Sequence, residues 1–204
     1  MSAIVDQPER YFSRLRKTDD PLLQELEAEA ESEPVPIVGP VVGQMLYILA
    51  RAMNARAVLE LGTATGYSAI FLGRACAATG GRLTTLEIDP SMAERARRNL
   101  DRSGAGAAIE VLCTDVRAHL PKMQGPLDMI FMDIEKSDYA RVLPDCARLL
   151  RPAGLLVADN VAFPDADAFN RAIFSSPDWQ PASILAHLPK HSPEKDGVCL
   201  ALRC

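Results

Sequence analysis

From residue 57 onward, short apolar runs alternate with segments of helical period along the chain. The runs at 57–61, 82–88, 108–112, 127–132 and 154–158 are brief, rich in branched apolar residues and bounded by turn formers, which predicts five strands. Helical stretches fall between them, near 67–78, 90–103, 115–120 and 137–150. Such βαβαβ alternation predicts a mostly parallel sheet with helices on both faces. Upstream, Leu22, Leu23, Leu26 and Ala30 draw one apolar stripe on an acidic helix that begins after Asp20-Pro21. Pro34, Pro36 and Pro40 interrupt it, and a second helix follows over about 41–53. The tail reads as a helix near 165–175 and strands over 181–188 and 197–203, with Asp196-Gly197 in their connection. Pro144 removes a helix hydrogen bond inside 137–150, so a kink or a late helix start is expected there.

Composition narrows the class. With 204 residues, 48% hydrophobic and 24% charged, the chain reads as one α/β domain over 1–204, with residues 1–35 as an N-terminal helical extension. Five cysteines with no C-x-x-C pair argue against a disulfide scaffold or a zinc ribbon and fit a reducing cytoplasm. The start MSAIVDQPERYF has no signal-peptide pattern. Prolines, glycines, Gln44 and Arg51 break the most apolar stretch, 35–53, so no membrane span is expected. A net charge of −5 argues against a general nucleic-acid partner. The clusters Arg14-Leu15-Arg16-Lys17 and Arg95 through Arg102 read as solvated helix faces.

Ligands of open parallel sheets bind beyond the carboxyl ends of the strands. The first strand ends in Glu60-Leu61-Gly62-Thr63-Ala64-Thr65-Gly66 and runs into a helix start at Tyr67-Ser68. Gly62 and Gly66 permit close approach, and the helix start offers free N–H groups. The second strand ends at Glu87, which is suited either to a ribose diol or to the next helix start. Asp115, after the third strand, reads as a helix cap or as a partner for an adenine edge. Three residues separate the glycines, unlike the G-x-G-x-x-G of dinucleotide sites. The wider turn resembles motif I of class I S-adenosylmethionine (SAM)-dependent methyltransferases.

The fourth strand ends in Asp133-Ile134-Glu135-Lys136 and the fifth in Asp159-Asn160. Both ends belong to one sheet edge, so Asp133, Asp159 and Asn160 can converge. Two carboxylates and an amide oxygen suit a hard cation such as Mg²⁺, while Asp159-Asn160 alone also reads as a turn. The whole pattern resembles the metal-dependent O-methyltransferases of the catechol and caffeoyl-CoA type, particularly small bacterial members. The likeness spans roughly residues 34–204. It rests on Gly43-Gln44, the 59–68 loop, Asp133 with Lys136 and Tyr139, Leu150-Arg151-Pro152-Ala153-Gly154, Asp159-Asn160-Val161 and Asp196-Gly197.

The resemblance implies a Rossmann-like fold with a seven-stranded sheet and a homodimer. It implies SAM bound at Val38, Glu60, Gly62, Thr63, Ser68, Glu87, Asp115 and Asp133. It also implies a divalent metal, Mg²⁺ first, on Asp133, Asp159 and Asn160, with Lys136 as general base and Asp133 beside both cofactor and acceptor. The implied acceptor is a small aromatic with vicinal oxygens. A tRNA hydroxyuridine O-methyltransferase and a nicotinamide-dependent oxidoreductase are the alternatives. Three departures stand out. Ile134-Glu135 replaces the common Ala-Asp, so the third residue keeps its charge but gains length, and Ala153 replaces the first glycine of a pair, which is expected to matter little. A short Val161-Ala162-Phe163-Pro164 segment stands where a longer glycine-containing loop is usual, which suggests an open acceptor site. His119, His187 and His191 lack ligand spacing and read as surface or loop residues, and Trp179 reads as packing. Tyr11 and Phe12 lie in an extension that borders the active site or a partner subunit in the family.

Overall fold

The computed structural model describes residues 5–15, 20–33 and 35–204, so Arg16, Lys17 and Pro34 lie outside the described residues. Strands β1 (Ala57–Leu61), β2 (Arg82–Glu87), β3 (Ile109–Cys113), β4 (Leu127–Met132) and β5 (Leu150–Ala158) run parallel. Strand β7 (Lys195–Arg203) adds antiparallel to β5, and β6 (Trp179–His187) antiparallel to β7. The sheet order is β3-β2-β1-β4-β5-β7-β6. Connections therefore leave in opposite directions from β1 and β4, and the crevice at their carboxyl ends is the topological switch point.

Helices α1 (Pro8–Leu15), α2 (Pro21–Ser32), α3 (Gly39–Ala52), α4 (Tyr67–Thr79), α5 (Pro90–Arg102), α6 (Val116–His119), α7 (Tyr139–Leu149) and α8 (Asp167–Ser175) surround the sheet. Strand β4 shows why its apolar run is continuous. Met129 and Phe131 face the layer containing Leu26, Leu46 and Ile70, while Ile130 and Met132 face Val142, Phe169 and Ile173. Both faces are covered, so no polar alternation survives. Among the described residues no helix is long and apolar enough to cross a membrane.

The extension is bound to this body. Asp20 Oδ1 caps α2 by accepting from the Leu22 and Leu23 amides at 3.0 and 3.3 Å. Burial of Leu22, Leu23 and Leu26 contributes about 1.5–3 kcal/mol each. Arg95 pairs with Glu29 and Glu33, both at 2.7 Å, and Arg102 with Glu25 at 2.6 Å. The basic cluster of α5 is therefore in part a seat for the acidic face of α2, not simply a solvated face.

Three local differences from the sequence reading have physical causes. Helix α7 runs through Pro144, but a short 3-10 turn over Lys136–Asp138 precedes it, giving the late start. Strand β5 begins at Leu150 rather than 154, because Arg151 reaches Asp128 at 2.7 Å while Asp128 accepts from the Arg56 and Ala57 amides. Ala153 sits at φ +57°, where a side chain is strained, so the missing glycine does matter. Ala153→Gly is expected to stabilise the fold by about 1 kcal/mol, read as a raised urea midpoint.

Candidate active site

The β1–α4 loop is built from backbone turns that side chains resist: φ is +93° at Gly62, +45° at Ala64 and +86° at Gly66. A Cβ on Gly62 would run into the Asp133 carbonyl oxygen, so only glycine lets the β1 and β4 loops touch. The Thr63 and Ala64 amides donate to Glu87 Oε2 at 3.2 and 2.7 Å, and Asp89 N donates to Oε1 at 2.9 Å. This fixes the β2 carboxylate against the loop.

Beside the loop opens a cleft of about 460 Å³. All the sequence-derived cofactor positions except Glu60 line it. Ile88, 63% exposed, gives the cleft an apolar surface. Asp115 caps α6 through the Arg117 amide at 2.8 Å, the first of its two readings, and also lines the cleft. Hydrogen bonding to the Arg117 guanidinium holds its carboxyl below the usual range.

Glu60 lies buried beneath the cleft, with Oε2 accepting from Thr85 Oγ1 at 2.6 Å. Among the described residues no hydrogen bond reaches its Oε1, and burial pushes the carboxyl up to about 8, opposed chiefly by the Thr85 hydroxyl. An orphaned buried carboxylate oxygen under a cleft fits a ligand that brings a cationic group.

A second cavity of about 320 Å³ adjoins the first, and Pro36, Ile37, Asp133, Glu135 and Lys136 line both. Its other walls include Asp159, Asn160, Phe163 and Asp165. Asp133 opens to the cavity yet is otherwise enclosed by protein. That burial, with Asp159 facing it, pushes its carboxyl up to about 6, while Lys136 Nζ, 3.3 Å from Oδ1, opposes the shift. Lys136 Nζ also stands 6.0 Å from the centre of the Phe163 ring.

Asn160 takes φ +52°, a conformation asparagine tolerates, so its turn character and its position at the cavity coexist. Its Nδ2 donates to Asp196 Oδ2 at 2.6 Å and to the Ser192 carbonyl at 3.3 Å, which leaves Oδ1 as the accepting end. The Tyr139 hydroxyl spans the Met132 and Asp159 carbonyls at 3.3 and 3.1 Å, tying the ends of β4 and β5 together.

Among the described residues no three His, Cys, Asp or Glu side chains gather into a metal cluster by themselves. The candidate set depends on the Asn160 amide. Its donors suit a hard cation, and two facing carboxylates are the crowding a cation relieves.

His191 corrects the sequence reading. It is buried, with Nε2 2.9 and 3.0 Å from the two carboxylate oxygens of Asp159 and Nδ1 2.6 Å from the Pro193 carbonyl oxygen. His119 and His187 line neither cavity. Asp196 belongs to β7 rather than the connection, and its Oδ1 accepts from the Gly197 and Ala162 amides at 2.6 and 3.2 Å. Trp179 is packed at the start of β6 as expected, and Tyr11 and Phe12 are exposed on α1.

A family model described as O-methyltransferase matches residues 14–167. A catechol O-methyltransferase of Niastella koreensis is 39% identical over 164 residues, covering 78% of this chain and 74% of that protein. The O-methyltransferase of Streptomyces achromogenes involved in tomaymycin synthesis, solved in complex with SAM, superposes with a TM-score of 0.84 at 31% identity, covering 98% of this chain and 99% of that one. An O-methyltransferase from Bacillus cereus in complex with SAH gives 0.85 at 26% identity, with 97% of each chain covered.

Proposed function

This chain belongs to the O-methyltransferase family and is a SAM-dependent enzyme, and from that premise we propose that it methylates one hydroxyl of a small aromatic acceptor with vicinal oxygens, assisted by a divalent cation. The observation that carries this reading is the pair of adjoining cavities whose common wall is Asp133, Glu135 and Lys136. One is suited to the cofactor and the other to the acceptor, so methyl donor and oxygen nucleophile meet at that wall. Family membership sets the nicotinamide oxidoreductase aside. A homodimer and a cytoplasmic setting remain part of the proposal.

SAM supplies an electrophilic methyl group on a sulfonium. Asp133, Asp159 and Asn160 would hold a divalent cation, which would supply Lewis acidity to lower the pKa of an acceptor hydroxyl. The chain's own residues do the rest. Thr63, Ser68, Glu87 and Asp115 fix the donor along the first cavity. Pro36 and Ile37 cover the common wall and exclude water. Lys136 Nζ, held beside Asp133, takes the proton of the attacking hydroxyl as general base. Phe163 offers a face for an aromatic ring. The segment after Asn160 is short, since a 3-10 turn at Pro164–Ala166 leads directly into α8, which keeps the acceptor cavity open.

Glu60 gives the cofactor site a pH dependence. Below about 8 its carboxyl is mostly protonated. Receiving an ammonium favours the ionised form, so binding releases a proton. Affinity therefore rises with pH up to about 8, by at most about tenfold per unit. Calorimetry of SAH binding near pH 7, in two buffers of different ionisation enthalpy, is expected to show release approaching one proton. Glu60→Gln is expected to show none.

Product analysis with labelled SAM tests the acceptor class. A catechol is expected to be methylated in the presence of Mg²⁺ or Mn²⁺, and the matched monohydroxy aromatic is not. Equal turnover of both would remove the vicinal-oxygen requirement. Label appearing only in bulk tRNA would shift the acceptor to a hydroxylated uridine.

A further inference from the structure

We infer that His191 is a positioning residue for the cation site. By occupying the space between the two carboxylate oxygens of Asp159, it limits that carboxylate to one oxygen toward the cation and so favours a small octahedral ion such as Mg²⁺ over Ca²⁺. The inference rests on the proposed function, which puts a cation at Asp159.

Geometry carries it. Nε2 stands 3.0 Å from Asp159 Oδ1 and 2.9 Å from Oδ2, so it lies midway between the two oxygens. A cation gripped by both oxygens has to lie midway between them too, and the ring and a chelated cation compete for one place. Each oxygen keeps a further lone pair, through which a cation can be met singly. The ring cannot easily yield. Nδ1 is 2.6 Å from the Pro193 carbonyl oxygen, and the His191 and Asp159 side chains are each only 1% exposed. His191 lines neither the cofactor cleft nor the acceptor cavity, so it acts on the cation only through Asp159.

The loop that carries the ring serves both residues at the end of β5. Its Ser192 lines the acceptor cavity, and the Ser192 carbonyl accepts from Asn160 Nδ2 at 3.3 Å while His191 holds Asp159. The loop is itself tied down. Leu188 N donates to the Glu194 carbonyl at 2.6 Å, and His191 N to the Leu188 carbonyl at 3.0 Å. Lys190 pairs with Glu27 Oε2 at 3.2 Å and Glu31 Oε1 at 3.1 Å, both on α2. Glu27 is buried and also accepts from the Tyr67 hydroxyl at 2.8 Å, so α2 braces the histidine loop and the cofactor loop together. Mg²⁺ demands near-ideal octahedral geometry, whereas Ca²⁺ takes about 6–8 oxygens and readily uses both oxygens of one carboxylate. With Asp133, Asp159 and Asn160 giving one oxygen each, about three of the six octahedral positions stay open, enough for two vicinal acceptor oxygens.

The test uses the full chain and Mn²⁺, whose free-ion electron paramagnetic resonance signal reports its displacement by Mg²⁺ or Ca²⁺. Wild-type protein is expected to bind Mg²⁺ more tightly than Ca²⁺. In His191→Leu the ratio of Mg²⁺ to Ca²⁺ affinity is expected to fall by about 10–100-fold. In His191→Gln, whose amide can still donate to Asp159, the ratio is expected to stay within about threefold of wild type. A purely structural role would weaken both ions alike and leave the ratio unmoved. Wild-type protein that prefers Ca²⁺ overturns the inference and needs no variant, so a folding failure does not shield it. An unmoved ratio in His191→Leu, or an equal fall in His191→Gln, overturns it as well. In those cases the proposed function stands if Asp159→Asn abolishes Mn²⁺ binding. Failure of wild type to bind Mn²⁺, or binding that survives both Asp133→Asn and Asp159→Asn, overturns the proposed function and the inference together.

Discussion

Lys136→Met is expected to lower kcat by about 10²–10⁴-fold while SAH affinity stays within about threefold. Lys136 Nζ stands 3.3 Å from Asp133 Oδ1 at the wall between the two cavities and 6.0 Å from the centre of the Phe163 ring. It is therefore within reach of an acceptor hydroxyl, while the cofactor is held mainly by the β1 loop and Glu87. Methionine keeps the length and the apolar stem, so packing changes little and the proton acceptor alone is removed. Single-turnover methylation separates the outcomes. A loss confined to the chemical step supports the base assignment. An unchanged rate constant would remove it and leave Lys136 as a counter-ion of Asp133.

The second large effect falls on the loop. Gly62→Ala is expected to weaken SAH binding by at least about 100-fold and to destabilise the chain by about 2–4 kcal/mol. Gly62 holds φ +93°, and a Cβ there would collide with the Asp133 carbonyl oxygen and approach its carbonyl carbon to 2.9 Å. Neither side can yield easily. Leu61 is paired with Met132, and the Asp133 amide donates to the Leu61 carbonyl at 2.8 Å. The side chain would have to part β1 from β4 where both cavities begin. Gly80→Ala is the control: φ is +70° there and nothing lies within 4 Å of the added Cβ, so only the backbone cost of about 1–2 kcal/mol is expected, with binding unchanged. Thermal unfolding and SAH calorimetry on both variants provide the comparison. Equal effects in the two would mean that the loop contact carries no binding role.

Strands β1 and β4 were legible to the residue, because both are short apolar runs that stop at a glycine or an acid. The acids at their ends were legible for the same reason, since a parallel sheet brings every carboxyl end to one edge. Strand β5 was not, because its first residues are set by Arg151 gripping Asp128 across the sheet, and Pro152-Ala153-Gly154 reads locally as a turn. His191 was missed on a different ground. No sequence spacing links it to Asp159, 32 residues away; the link is topological. Strand β7 runs antiparallel to β5, so the β6–β7 connection returns to the carboxyl end of β5. A lone histidine in that connection, five residues before Asp196, was the one available signal. Asp196 was visible only as part of a motif, and its grip on the Asn160 amide needed the fold. The seat of α2 on α5 likewise pairs charges far apart in sequence.

Methyl transfer from labelled SAM to 1,2-dihydroxybenzene, with and without a chelator, tests the central claim most directly. The account predicts a mono-O-methylated product with Mn²⁺ or Mg²⁺ present, a fall of at least about 100-fold on chelation and recovery when the ion is restored. Transfer untouched by the chelator, or no transfer to any dihydroxy-aromatic with any divalent ion, would contradict it.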